Sequence, residues 1–178
     1  MKILGVCGSL QARSANLALL HVAAASTPRD IEFVVFDGLR DLPLFNPDVD
    51  ATGAPDSVRR WRGALAESDA VLIAAPEYGF SLPGALKNGI DWVISSGELE
   101  GKVMAITAAV PTSERGRGGL HALRDSLCAV RAVIVGGEPI AKGPDFHARV
   151  TELVADLVHA VAQVRRSPSC LIRPAARV

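Results

Sequence analysis

Aromatic side chains are scarce in this chain: two Trp, one Tyr and five Phe among 178 residues. Yet 49% of the residues are hydrophobic and the mean hydropathy is +0.26, so the core is built from Ala, Val, Leu and Ile. That composition excludes a disordered chain and suits strands buried on both faces. Cysteine is equally sparse. Cys7, Cys128 and Cys170 form an odd set with no C-x-x-C pair, which argues against a disulfide framework and for a reduced compartment. Charge of one sign is missing too. Nineteen Lys and Arg balance 19 Asp and Glu, so no overall field steers the protein toward nucleic acid or a membrane, and any anion site must be local. No apolar run approaches membrane-spanning length, and the run in "MKILGVCGSL" is too short for a signal peptide, so the expectation is a soluble, cytoplasmic protein. The four histidines, His21, His121, His147 and His159, have no i, i+4 pairing and no thiol partners, so no metal site is expected.

What is present is a regular alternation of short apolar runs and amphipathic ones. "KILGVC", "IEFVVF", "AVLIA", "KVMAIT" and "AVIVG" read as strands. "SANLALLHVAAA", "DSVRRWRGALAES", "PGALKNGIDWVI" and "GGLHALRDSLCA" read as helices, and a last helix runs from about Phe146 to Val164. In that last helix Phe146, Val150, Leu153, Val154, Leu157, Val158 and Val161 recur at three- and four-residue spacing and form one docking stripe. Five βα units with right-handed crossovers predict an α/β domain over 1–164: a five-stranded parallel sheet, order 2-1-3-4-5, with helices on both faces. Residues 165–178, with four arginines and two prolines, read as a tail: a loose end or a subunit clasp, with nucleic-acid contact as a third reading.

In that order the switch point lies between strands one and three, where open α/β sheets bind ligands. The two most unusual loops of the chain follow those strands. "GSLQARSAN" supplies Ser9, Gln11, Ser14 and Asn16 as neutral donors beside a helix start, a pattern that holds a phosphate monoester. Ser14 or Asn16 taken singly also reads as a plain helix cap. Better-known phosphate motifs are absent: the loop lacks G-x-G-x-x-G, although Asp37 lies where a ribose-binding acid would, and Gly101-Lys102 opens a strand instead of closing a Walker loop. "GFSLPG" departs from the G-x-S-x-G elbow of serine hydrolases. After the third strand, "PEYGFS" offers loop amides, a glycine that lets the main chain come close, and flat apolar surface from Tyr78 and Phe80. A tight surface turn is the plainer reading of the same residues.

Taken together, "GSLxxxSxN", "PEYxxSxPGxLKNxIDW" and "DLPLFNPD" resemble the NADPH-dependent FMN reductase family of flavodoxin-like quinone, azo-dye and metal-ion reductases. The order of elements is similar from Met1 to about Val164, which implies a flavodoxin-like three-layer sandwich. The resemblance implies FMN held by its phosphate on Ser9, Gln11, Ser14, Ala15 and Asn16, its ring edge met by Pro76, Glu77, Tyr78, Gly79, Phe80 and Ser81. Hydride would pass from NADPH or NADH through FMN to a quinone-like or other small acceptor, with no acid–base side chain required. Glu77 is then a positioning or subunit-contact residue, not a base, and Arg115 and Arg117 are either contacts for the donor's phosphate or simply solvated. The family's usual assembly implies a homodimer or homotetramer, with Leu86, Ile90, Trp92 and Val93 of the third helix at the interface. The sequence departs from the pattern at Gln11 (usually Arg), at Gly79 (usually Asn) and in "TAAVPTSERGRGG" after strand four, where no flavin contact is assigned. A flavodoxin-type electron carrier, less apt for a chain with no acidic excess, and a non-catalytic flavin-binding module are the alternatives.

Overall fold

The computed structural model describes residues 1–166. Five parallel strands, β1 (Lys2–Cys7), β2 (Glu32–Phe36), β3 (Ala70–Ala74), β4 (Val103–Thr107) and, after the two-residue β5 (Ala109–Val110), β6 (Val133–Gly136), form one sheet in the order β2-β1-β3-β4-β6. This is the expected order, with β6 as the fifth long strand. Two strands had no signal in the apolar pattern. β5 pairs in parallel with β7 (Ile140–Ala141), a two-residue ladder above the main sheet.

The alternation of side chains along each strand assigns the helices to their layers. Leu4, Val6, Val71, Ile73, Met104 and Ile106 face one way and pack with α3 (Asp56–Ala66), α4 (Gly84–Asp91) and α5 (Arg117–Ala129). Ile3, Leu72, Ala70, Val103 and Ala105 face the other way, against α1 (Ala15–Ser26) and α6 (Phe146–Arg166). β3, central and covered on both faces, is buried along its whole length, which explains its unbroken apolar run. The stripe on α6 is buried at Val150, Leu153, Val154, Leu157 and Val161, with Phe146 and Val158 half-buried at its edge.

Several boundaries differ from the expected ones. α4 stops at Asp91 because Trp92 turns inward, its indole donating to the Pro43 carbonyl at 2.8 Å. Leu86, Ile90, Trp92 and Val93 are all buried in the chain's own core and therefore supply no subunit interface. The segment after β2 is not a bare loop: a 3-10 turn (Gly38–Asp41) and a short helix, α2 (Pro47–Thr52), fill it, and the Asn88 side chain pins it through Phe45 N and Pro43 O. α5 begins at Arg117, one residue before the expected start. α6 runs to Arg166, two residues into the expected tail, and the rest of that tail, 167–178, lies outside the described residues.

Candidate functional site

β1 and β3 are neighbours, so the loops that follow them open at the same edge of the sheet. The ladder continues into both: Gly8 N donates to Ala74 O at 2.9 Å, and Ala75 N to Thr107 O at 3.0 Å. This brings the phosphate-loop candidates and the "PEYGFS" candidates to adjoining strand ends, as the switch-point argument requires.

In the loop after β1, Ser14 is the N-cap of α1, its Oγ accepting from Asn16 N at 3.2 Å. Ser9 Oγ accepts from Gln11 N, also at 3.2 Å. The cap and phosphate readings of these serines are compatible, because a hydroxyl that accepts an amide still has its own proton to donate. The first-turn amides of Ala15 and Leu17 have no acceptor among the described residues, and Gly8–Asn16 contains no acid. This donor set fits a phosphate monoester. Asn16 differs from expectation: 4% exposed, it spends its Oδ1 on Ala109 N at 2.9 Å, so it ties β5 over the loop and keeps only its Nδ2 for a ligand. Gln11 is exposed.

Around this loop lie basic side chains that no motif announced. Arg40, on the 3-10 turn, reaches the Leu10 carbonyl at 3.5 Å and borders a cavity of ≈ 100 Å³ with Ser9, Gln11, Cys7 and Asp37. On the other flank Arg13, His21 and Lys142 line an open groove of ≈ 410 Å³ with Ser14 and Ala15. Only the folded chain brings Arg40 and Lys142 to the loop. Arg40, Arg13 and Lys142 thus bring positive charge to the loop although Gln11 carries none.

After β3, Tyr78 and Ser81 exchange both backbone hydrogen bonds at 3.0 Å, and the two residues between them, Gly79 (φ 57°) and Phe80 (φ 58°), are left-handed. This is a two-residue hairpin with the φ signs of a type I′ turn. The rings of Tyr78 and Phe80 project outward, 57% and 84% exposed, an apolar surface that the described residues leave largely uncovered. Glu77 is half-buried, and its Oε2 accepts from Gly119 N of α5 at 2.9 Å, which makes it a structural acceptor. Pro76 is half-buried at the start of the loop, and Pro83, expected inside the first turn of α4, is its N-cap.

The loop after β4 is less basic than its arginines imply. Arg117 pairs with Glu138 at 2.8 Å. The Glu114 carboxyl is held below the usual carboxylate range, first by the Thr112 hydroxyl and then by its own amide and Ser113, so an anion stands within electrostatic reach of Arg117. Among the described residues no group of His, Cys, Asp and Glu is placed to hold a metal ion. The contact between Gly118-Gly119 and the hairpin was the feature most hidden in the sequence; its one signal is a glycine pair inside a helical pattern, which marks a close backbone approach.

A doubly wound parallel sheet whose switch point carries an anion-receptive helix start beside a main-chain-presenting hairpin defines a flavodoxin-like mononucleotide-binding protein. The profile of the NADPH-dependent FMN reductase family matches residues 1–144, and the chain belongs to that family. An NAD(P)H-dependent FMN reductase of Pseudomonas aeruginosa is 40% identical over 111 residues, which is 61% of this chain and 60% of that protein. A quinone reductase of Pseudomonas putida is 35% identical over 125 residues, 68% of this chain and 67% of its own length. Among solved structures, the flavoenzyme NAD(P)H:(acceptor) oxidoreductase FerB of Paracoccus denitrificans superimposes with a TM-score of 0.80 at 26% identity, covering 91% of this chain and 97% of that one.

Proposed function

We propose that the protein is an FMN-dependent NAD(P)H oxidoreductase acting on quinone-like or other small acceptors. The observation that carries this reading is the pairing of the acid-free, unpaired-amide loop after β1 with the hairpin after β3, at adjoining strand ends, in a chain of this family. Bound FMN would supply the chemistry of hydride transfer between a nicotinamide and the acceptor. The work of this chain is to bind and orient. Ser9, Ser14 and the amides of Ala15 and Leu17 hold the phosphate, with Asn16 Nδ2 and Gln11 at its rim and Arg40 and Lys142 supplying charge from either side. Pro76 to Ser81 meet the ring edge through main-chain groups. Tyr78 and Phe80 cover it and exclude water.

The exposed Tyr78, Phe80, Leu44 and Ile94 support assembly as a homodimer or homotetramer that covers them. Light scattering of the flavin-loaded protein tests this, and a fully active monomer at micromolar concentration would refute it.

The reading is tested directly by extracting the bound flavin from the purified protein and mixing the protein anaerobically with NADPH. Chromatography is expected to recover FMN, since the loop holds one terminal phosphate, and the flavin absorbance is expected to bleach rapidly. Recovery mainly of FAD would overturn the phosphate-loop assignment. A flavin that does not bleach with NADPH or NADH would point to a carrier or a binding module.

A further inference from the structure

The hairpin Tyr78–Ser81 is held in a conformation its own residues do not favour. Its two mutual hydrogen bonds are those of a single turn, and a hairpin of this size is unstable alone. Phe80 stands at φ 58°, where a side chain costs about 1–2 kcal/mol, and its ring is too exposed to offset that by packing. The support comes from α5. Gly116, the N-cap of that helix, has no side chain to satisfy the first-turn amides, and the Glu77 carboxylate, 42 residues earlier in the chain, accepts from Gly119 N in place of a cap. A negative charge at a helix start is further favoured by the helix dipole.

The first turn of α5 also lies directly on the hairpin backbone. A Cβ on Gly118 would stand 3.0 Å from Glu77 Oε2 and 3.1 Å from Phe80 O. One on Gly119 would stand 3.0 Å from Glu77 Cα and Cβ and 3.1 Å from Ser81 O. Two glycines in a helical turn cost about 1 kcal/mol each against alanine, and here they are what lets helix and hairpin touch.

We propose that Glu77 is a positioning residue: by capping α5 it clamps the hairpin against Gly118 and Gly119, holds Phe80 in its left-handed state, and fixes the main chain that faces the flavin. The Glu77 carboxylate is committed to Gly119 N and acts through the backbone it holds. The clamp is a property of the chain alone, and only its consequence for flavin binding rests on the function proposed above.

Amide hydrogen exchange of the flavin-free protein tests it, followed by FMN titration of the same samples. Glu77→Ala is expected to raise exchange at Gly119, Tyr78 and Ser81 by about tenfold or more, and Glu77→Gln, whose amide oxygen can accept the same bond, by less than about threefold. FMN affinity should follow the same order. Gly119→Ala, which keeps the carboxylate but pushes the hairpin away, should behave like Glu77→Ala and serves if that variant does not fold. Phe80→Gly removes the left-handed penalty, so in that background Glu77→Ala should raise exchange at Tyr78 and Ser81 less than half as much; the excess is the coupling. Unchanged exchange at Tyr78 and Ser81 in Glu77→Ala, equal loss in Ala and Gln, or strict additivity with Phe80→Gly would each overturn the proposal. If the wild-type protein takes up no FMN, the flavin reading fails while the exchange data still decide the clamp.

Discussion

Gly79 and Phe80 sit side by side with left-handed backbones, and only one of them is a residue for which that is free. A Cβ on Gly79 would meet nothing within 4 Å, so substitutions there act through the backbone and not through crowding. Valine, β-branched and poorly tolerant of positive φ, is expected to distort the turn and lower FMN affinity by about tenfold, roughly 1.4 kcal/mol. Asparagine, which accepts the left-handed region, should stay within about twofold. Flavin titrations of the two variants decide it, and equal behaviour of valine, asparagine and glycine would reduce Gly79 to an ordinary surface-turn residue. At the phosphate end, Ser14→Glu puts a negative charge at the start of α1 where the dianion is proposed to sit. An FMN titration should show a loss of at least about tenfold, and an unchanged titration would move the site elsewhere.

Elements were legible where periodicity is long and one-sided. α6 showed itself through a stripe of seven apolar residues, and β3 through an unbroken run that only a central strand sustains. The short pieces were not. β5 and β7, two residues each, exist because the fold sets Ala109 beside Asn16 and Ile140 beside Ala108, and no local pattern encodes that. α4 read as longer than it is because "DWVI" continues the apolar pattern while Trp92 follows a tertiary hydrogen bond instead. The two candidate loops were found from their place after strands one and three. The partners that hold them, Ala109 for Asn16 and Gly119 for Glu77, lie 93 and 42 residues away in the chain, and separations of that size leave no trace in a window. Asn16→Ala would leave the Ala109 amide without its acceptor, at a cost of about 2 kcal/mol. For a chain of this size the melting temperature should fall by roughly 4–8 °C. An unchanged melting curve would show that β5 does not need the tie.

Across the whole molecule, the edge opposite the site is closed by charge. Asp69 accepts from the Lys2 amide at 2.7 Å and pairs with Arg165 at the end of α6, joining β1, β3 and α6. The Lys2 amide first, and then Arg165, hold its carboxyl below the ordinary range. A carboxyl depressed on folding contributes stability above its unfolded value, about 3.9, and that contribution is lost as pH falls through the lower folded value. Asp69→Asn should therefore cost about 1 kcal/mol near neutrality, with the gap to wild type closing as acid is added. Denaturant melts at several pH values measure it. A gap still present near about pH 2 would assign the effect to geometry and not to charge.

The cover over one face of the sheet arrives last. Ile3, Leu72 and Ala105 are shielded by α1 and by α6, and α6 begins only at Phe146, after every strand of the sheet has been made. During synthesis at roughly 5–20 residues per second, the sheet can assemble on the ribosome while half of that face is still bare. A nascent chain arrested before α6 emerges should be digested readily by protease and held by chaperones. One arrested after α6 has cleared the exit tunnel should resist, so the commitment of this fold lies in its final twenty or so described residues, in the time order of translation.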